Sequence, residues 1–172
     1  MKRAIKYFLL FLLLLAIAFF FIGIIIPSFT YESRITVNKP IEQSFKVFNS
    51  PFLLAEWIPG LKGVRWISGT QNEIGSKWEM TIELDGKIYT TTEELTVFKE
   101  NELLAFTLNS DVLSSNVEVK FINKGESTEI ISSSKAEGSN IFWKSIFVFY
   151  KSIFSKRDKV MYDRLKKVIE SN

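Results

Sequence analysis

Hydrophobic and polar positions follow three different rhythms along this chain. From Tyr7 to Ile26 the run is apolar throughout, Pro27 closes it, and the next charge is Glu32. At about 1.5 Å of rise per residue, a helix of this length matches a hydrocarbon core of roughly 30 Å. In lipid, only a helix lets such a single segment pair all its backbone groups internally. The run therefore predicts one transmembrane helix, with residues 1–27 as an anchor and residues 28–172 as one domain. A cleaved signal has an apolar core of about 7–15 residues and a small-residue exit. Here the core is longer and the exit reads Ile24-Ile25-Ile26-Pro27.

After the anchor the period changes to two. Phe29, Tyr31, Ser33, Ile35 and Val37 alternate with Thr30, Glu32, Arg34 and Thr36, the pattern of a half-buried strand. Pro40 then suits the first position of a short helix over 40–49, with Ile41, Phe45 and Phe48 on one side. Pro51 opens a second short helix ending near Trp57, and Pro59-Gly60 is a turn. Six further strands are expected at 64–67, 77–84, 87–98, 103–109, 116–123 and 127–134. Asp85-Gly86 is a strong tight-hairpin signal, and Lys124-Gly125 separates the last two strands. Seven strands joined mostly by short turns predict an antiparallel meander.

The last rhythm is helical, from about Ser139 to Glu170. Its second half is amphipathic, with Met161, Leu165, Val168 and Ile169 on one side. Its first half has apolar residues in nearly every direction, interrupted by Lys144, Ser145, Lys151 and Ser152. A sheet covers only one face of such a helix. The rest calls for the short helices, a ligand, a partner protein or the membrane interface.

Strand, two short helices, a six-strand meander and a long closing helix form a distinctive order. Asn38-Lys39-Pro40-Ile41-Glu42-Gln43-Ser44-Phe45, Glu56-Trp57-Ile58-Pro59-Gly60, Ile74-Gly75-Ser76-Lys77-Trp78 and Leu103-Leu104-Ala105-Phe106 stand at matching places. In this, residues 29–170 resemble the SRPBCC superfamily, which includes START lipid-transfer domains, the birch-pollen-allergen fold and polyketide cyclase/dehydratase-like proteins. The resemblance implies an α+β helix-grip fold, a curved antiparallel sheet around a long carboxy-terminal helix, with a cavity between them. Chemistry does not follow from it, because one fold hosts many functions.

Composition narrows the chemistry. Cysteine and histidine are absent. Thiolate chemistry is excluded, the commonest general base is missing, and no zinc site, metal or cofactor is expected. The net charge of +3 is unevenly spread. Residues 28–138 carry 11 basic and 16 acidic residues, whereas residues 139–172 carry eight basic and three acidic. An acidic body repels phosphate, so nucleic acid is not an expected partner. The basic tail fits either a solvated helix face or anionic headgroups. Lys2, Arg3 and Lys6 before the anchor outnumber Arg34 and Lys39 after it, which favours a cytoplasmic amino terminus and a domain on the non-cytoplasmic side.

Alternation nominates the cavity wall. Trp78, Met80 and Ile82 share one face of their strand. If Leu95 and Val97 point inward on the next strand, then Tyr89, Thr91 and Glu93 do too. Phe106, Leu108, Val119 and Phe121 follow from the next two strands, and Phe142, Ile146, Phe149 and Ile153 from the helix. All of these equally suit a filled core. Trp57 either gates the mouth or packs as a lid. Glu93 would be a carboxyl in an apolar site, with a raised pKa, fit to orient a ligand or move a proton. One bulge would return it to the surface beside Glu94. Ser132, Ser133 and Ser134 have no base to activate them and read as ordinary sheet residues.

The expected function is a single-pass membrane protein that holds a lipid or other hydrophobic small molecule in a helix-grip cavity. The bilayer and that molecule are the expected partners. One alternative is a non-enzymatic protein whose apolar helix face meets another membrane protein. Another is a cyclase/dehydratase-like enzyme acting through Glu93, Tyr89 or a lysine. An interior void of several hundred Å3 separates the ligand-based readings from the partner-based one.

Overall fold

In the computed structural model, which describes residues 2–172, the apolar run forms α1 (Lys2–Ile25). Its side chains are exposed almost throughout, and it is long and apolar enough to cross a membrane. Two residues later the chain enters β1 (Ser28–Val37), followed by α2 (Ile41–Phe48) and α3 (Leu54–Trp57). The meander comprises β2 (Leu61–Ser68), β3 (Lys77–Leu84), β4 (Lys87–Lys99), β5 (Leu103–Asn109), β6 (Leu113–Asn123) and β7 (Thr128–Gly138). The chain ends in α4 (Ile141–Ser171), whose first turn is capped by Asn140, the side chain accepting from the Trp143 N–H at 3.2 Å.

All seven strands form one antiparallel sheet in the order β1-β7-β6-β5-β4-β3-β2, so the first strand returns to lie beside the last. The sheet curves around α4 as a helix-grip fold. Asp85 (φ 51°) and Gly86 (φ 75°) make the tight turn between β3 and β4, both in the left-handed region such a turn requires. β6 and β7 reach further than alternation predicts. Backbone pairing of Leu113 with Gly138 and Ser115 with Ala136 extends the ladder through serine-rich sequence that has no apolar period.

Two cores result. The larger lies between the concave face, α2 and the second half of α4. Phe45 and Phe48 of α2 meet the Phe121 ring at 5.0 and 5.4 Å, and Val37, Ile130, Leu165 and Ile169 are fully enclosed. The smaller lies under the first half of α4, where Phe147, Trp143 and Phe154 pack on Phe29, Tyr31 and Ala136.

Gly60 locks the α3–β2 turn to β3. It has φ 78°, its carbonyl accepts from the Glu83 N–H at 2.8 Å, and a Cβ there would overlap the Glu83 carbonyl oxygen. Gly60→Ala is expected to lower stability by about 2 kcal/mol, from left-handed strain and this clash. Urea unfolding of the detergent-solubilised protein, followed by tryptophan fluorescence, measures it. An unchanged midpoint would contradict the close approach.

Candidate functional site

Between the concave face, α3 and the second half of α4 the packing leaves a cavity of about 510 Å3. That is within the range of small-molecule sites. Its walls are mainly apolar, with Met80, Ile82, Leu95, Leu104, Phe106 and Leu108 on the sheet and Met161 on the helix. Lining residues that are also exposed mark the mouth: Phe52, at 91% exposure, and Trp66 and Lys62 of the edge strand.

Glu93 is the central polar group. It lies opposite Trp78 in the β3–β4 register, it is only 5% exposed, and its Oε2 accepts from the Trp78 indole N–H at 3.0 Å. Burial pushes its carboxyl up to about 8, while the Trp78 bond and the nearby Thr91 hydroxyl pull weakly the other way. Glu93 is thus a neutral acid at pH 7, able to offer a proton into an apolar space.

A bulge does occur on β4, but beyond Glu93. The pairing with β5 runs Glu93 to Leu108, Leu95 to Phe106, then skips Thr96 to pair Val97 with Ala105. Val97 therefore leaves the concave face, contrary to the expected alternation, and Phe98 takes its place against Phe45 at 5.8 Å. Leu95 and Glu93 lie before the slip and stay inward.

A second polar group lies across the cavity, on β1, β7 and α4. Tyr31, Ser132, Ser134, Asp158 and Tyr162 all reach the wall. Ser33, Ser132 and Asp158 each hold a buried oxygen outside good hydrogen-bond geometry, with Ser33 close to Asp158 and Ser132 close to Tyr162. Burial raises the Asp158 carboxyl and the Tyr162 and Tyr31 hydroxyls above their ordinary values. The Ser76 hydroxyl and the Trp57 indole N–H are likewise buried and unpaired at the wall. Unmet polar groups around an apolar space are what a ligand with hydrogen-bonding atoms would satisfy.

Of the residues expected at the wall, Trp57, Trp78, Met80, Ile82, Glu93, Phe106 and Leu108 are there. Trp57 is buried and stacks on Phe48 at 5.4 Å, so it packs as part of the lid. Val119 and Phe121 point inward but are sealed in solid core beneath Phe45 and Phe48. Thr91 is half-buried beside Glu93, its hydroxyl unpaired, just outside the lining. Tyr89 is exposed and outside the lining, although its cross-strand partner Ile82 is at the wall. Phe142, Ile146, Phe149 and Ile153 lie away from the cavity. The first half of α4 rests on the small Phe29–Ala136 core, and the cavity begins only at Asp158.

Asp158, Tyr162, Ser132 and Ser134 were not expected at the wall, yet signals for them exist. Asp158 stands at i−3, i−4 and i−7 from Met161, Tyr162 and Leu165, a charge on the apolar stripe. Ser132 and Ser134 share the parity of Ile130 and Ala136, which are completely buried.

A larger depression, about 670 Å3, lies on the outer face of the sheet between Thr30, Glu32, Thr107, Glu118 and Lys135. Its lining mixes polar residues such as Glu118 and Lys135 with apolar ones such as Ala105 and Val117.

Comparison with solved structures places this architecture. A conserved protein from Geobacillus kaustophilus superposes with a TM-score of 0.70 at 14% identity, covering 83% of this chain and 96% of that one. The Zhui aromatase/cyclase from Streptomyces sp. R1128 gives 0.62 at 12% identity, over 82% of this chain and 96% of that one. Norcoclaurine synthase from Thalictrum flavum, in complex with dopamine and hydroxybenzaldehyde, gives 0.62 at 16% identity, over 84% and 88%. At these identities the likeness is one of fold. No protein of curated function matches the chain in sequence. The model of one sequence family matches residues 28–170, every strand and nearly all of α4. The chain belongs to the polyketide cyclase / dehydrase and lipid transport family, within the SRPBCC superfamily.

Proposed function

We propose that this protein is held in a membrane by α1 and binds a hydrophobic small molecule, such as a lipid, in the helix-grip cavity. The observation that carries the reading is the cavity of about 510 Å3 with an apolar wall and unmet polar groups at opposite sides. An apolar ligand bearing one or two hydrogen-bonding atoms fits that chemistry. With two residues between α1 and β1, the domain stays close to the bilayer, on its non-cytoplasmic side by the charge balance around the anchor. Apolar ligands would exchange with lipid over a short path.

The test uses the full chain in vesicles with a neutral, photoactivatable alkyl diazirine. Labelling is expected on peptides containing Leu104–Leu108 and Met161–Tyr162. Label confined to α1 and the first half of α4 would refute a ligand cavity. Ionising Glu93 inside an occupied apolar cavity costs desolvation. Labelling of the cavity peptides should therefore fall about tenfold between pH 6.5 and 9.5, equivalent to about 1.4 kcal/mol, and Glu93→Gln should remove the fall.

An enzymatic reading has one specific observation in its favour. Glu93 is a neutral acid at the wall, and proton transfer by such a group is chemically sound. Tyr89, 46% exposed and outside the cavity, no longer supports it. A turnover that survived Glu93→Gln would remove Glu93 as its proton-transfer group.

A further inference from the structure

The aromatic half of α4 is not fully covered by the domain. Trp143, Phe147 and Phe154 face the small core, but Phe142, Phe149 and Ile153 remain exposed on another side, and Tyr150 is exposed at the edge of the covered face. What lies beside that exposed face is α1. Phe19 meets the Phe142 ring at 6.1 Å. One turn later Gly23 is buried against Ser145, with no room for a side chain: a Cβ there would lie 2.8 Å from the Ser145 nitrogen and 2.9 Å from the Ile141 oxygen. The two helices thus run in the same sense where they touch, and the first turns of α4 overlap the last two turns of the apolar run.

That overlap sets a depth. Phe19 lies seven residues before Ile26, so Phe142 sits about 10 Å below the end of the apolar run. Phe149, about 10 Å further along α4, comes level with Ile26. Ile153 is about 6 Å higher, the thickness of one headgroup layer. Lys151 and Lys156 bracket this level in a segment rich in positive charge.

Resting on the reading of α1 as a membrane span, we propose that the first half of α4 is seated in the same leaflet as the end of α1. Phe142 enters the acyl region, and Phe149 and Tyr150 lie at the headgroup boundary. The exposed aromatic face is then a lipid-facing surface. The membrane contact is a two-helix wedge rather than a single tether, and it fixes the orientation of the cavity relative to the bilayer.

The absence of native cysteine makes the test direct. Leu13→Cys, Phe142→Cys, Phe149→Cys and Val160→Cys are each labelled with a small polarity-sensitive fluorophore in the full chain. The proteins are placed in phosphatidylcholine–phosphatidylglycerol vesicles and quenched with nitroxide lipids of different depth or with aqueous iodide. Expected is a graded series. Leu13 is quenched by mid-chain nitroxides, Phe142 by shallow acyl nitroxides, Phe149 by headgroup nitroxides, and Val160 by iodide alone. If Leu13 is quenched from lipid but Phe142 and Phe149 respond to iodide as Val160 does, the proposal fails while the anchor stands. It fails equally if both are shielded from lipid and iodide, the result a protein partner or a second copy would give. If Leu13 itself is not quenched from lipid, the anchor reading falls, and the proposal with it.

Discussion

Glu93→Gln is expected to stabilise the protein by about 3 kcal/mol at pH 7 and to flatten its stability between pH 5 and 8. In the folded protein Glu93 keeps its proton up to about 8; its ordinary value is 4.5. Between those values the folded state binds more protons than the unfolded one, so stability falls as pH rises. The contribution is fully present below about 4.5 and lost by about 8. Each pH unit is worth about 1.4 kcal/mol, hence about 3 kcal/mol at pH 7 and on the order of 5 kcal/mol over the window. An amide takes the same volume and cannot ionise. Its carbonyl can accept from Trp78, and its NH2 has the unpaired Thr91 oxygen close by. Asp158 is also raised by burial and adds a slope of the same sign to both proteins. The informative quantity is therefore the difference between variant and parent, measured by urea unfolding at pH 5, 7 and 9. Parallel curves for the two proteins would mean Glu93 is not held neutral by burial.

That such a group survives at all bears on function. A buried acid that costs stability at neutral pH, beside a cavity with other unmet polar groups, is strain placed where a ligand would sit.

Sheet and helix order were legible because period-two alternation survives in β1, β3 and β5, and because Asp85-Gly86 and Pro40 punctuate it. The side occupied by Glu93 was not fully legible. Alternation on β4 treats Val97 and Leu95 alike, yet the Thr96 bulge separates them. Glu93 points inward because Leu95 does, and Val97 lent no true support. The helix contribution was misplaced for a different reason. Periodicity reports which side of α4 is apolar, not which stretch crosses the cavity. With apolar residues nearly all round its first half, the strongest hydrophobic signal pointed to Phe142 and Phe149, which instead face away from the cavity, Phe142 against Phe19 of α1 and Phe149 exposed. The polar wall was hidden because Asp158 and the serines of β7 look like ordinary solvent-facing residues until their parity and stripe position are considered.

The division of α4 gives the second large effect. Leu165→Ala is expected to cost about 3–5 kcal/mol, whereas Phe149→Ala in detergent should stay within about 0.5 kcal/mol. Leu165 is completely buried in the main core among Val37, Ile130 and Ile169; Phe149 is 64% exposed. Removing Leu165 leaves a void bounded by sheet on one side and helix on the other, and neither can close without unseating the other. Removing Phe149 takes away surface that the domain never covers. Hydropathy alone ranks the two the other way, since the first half of α4 is much the more apolar. Unfolding midpoints of both variants in one detergent decide the matter. A loss below about 1 kcal/mol at Leu165 would mean the second half of α4 does not hold the sheet. A large loss at Phe149 would mean that the aromatic face is covered within the protein itself, and the lipid-facing assignment would have to be abandoned.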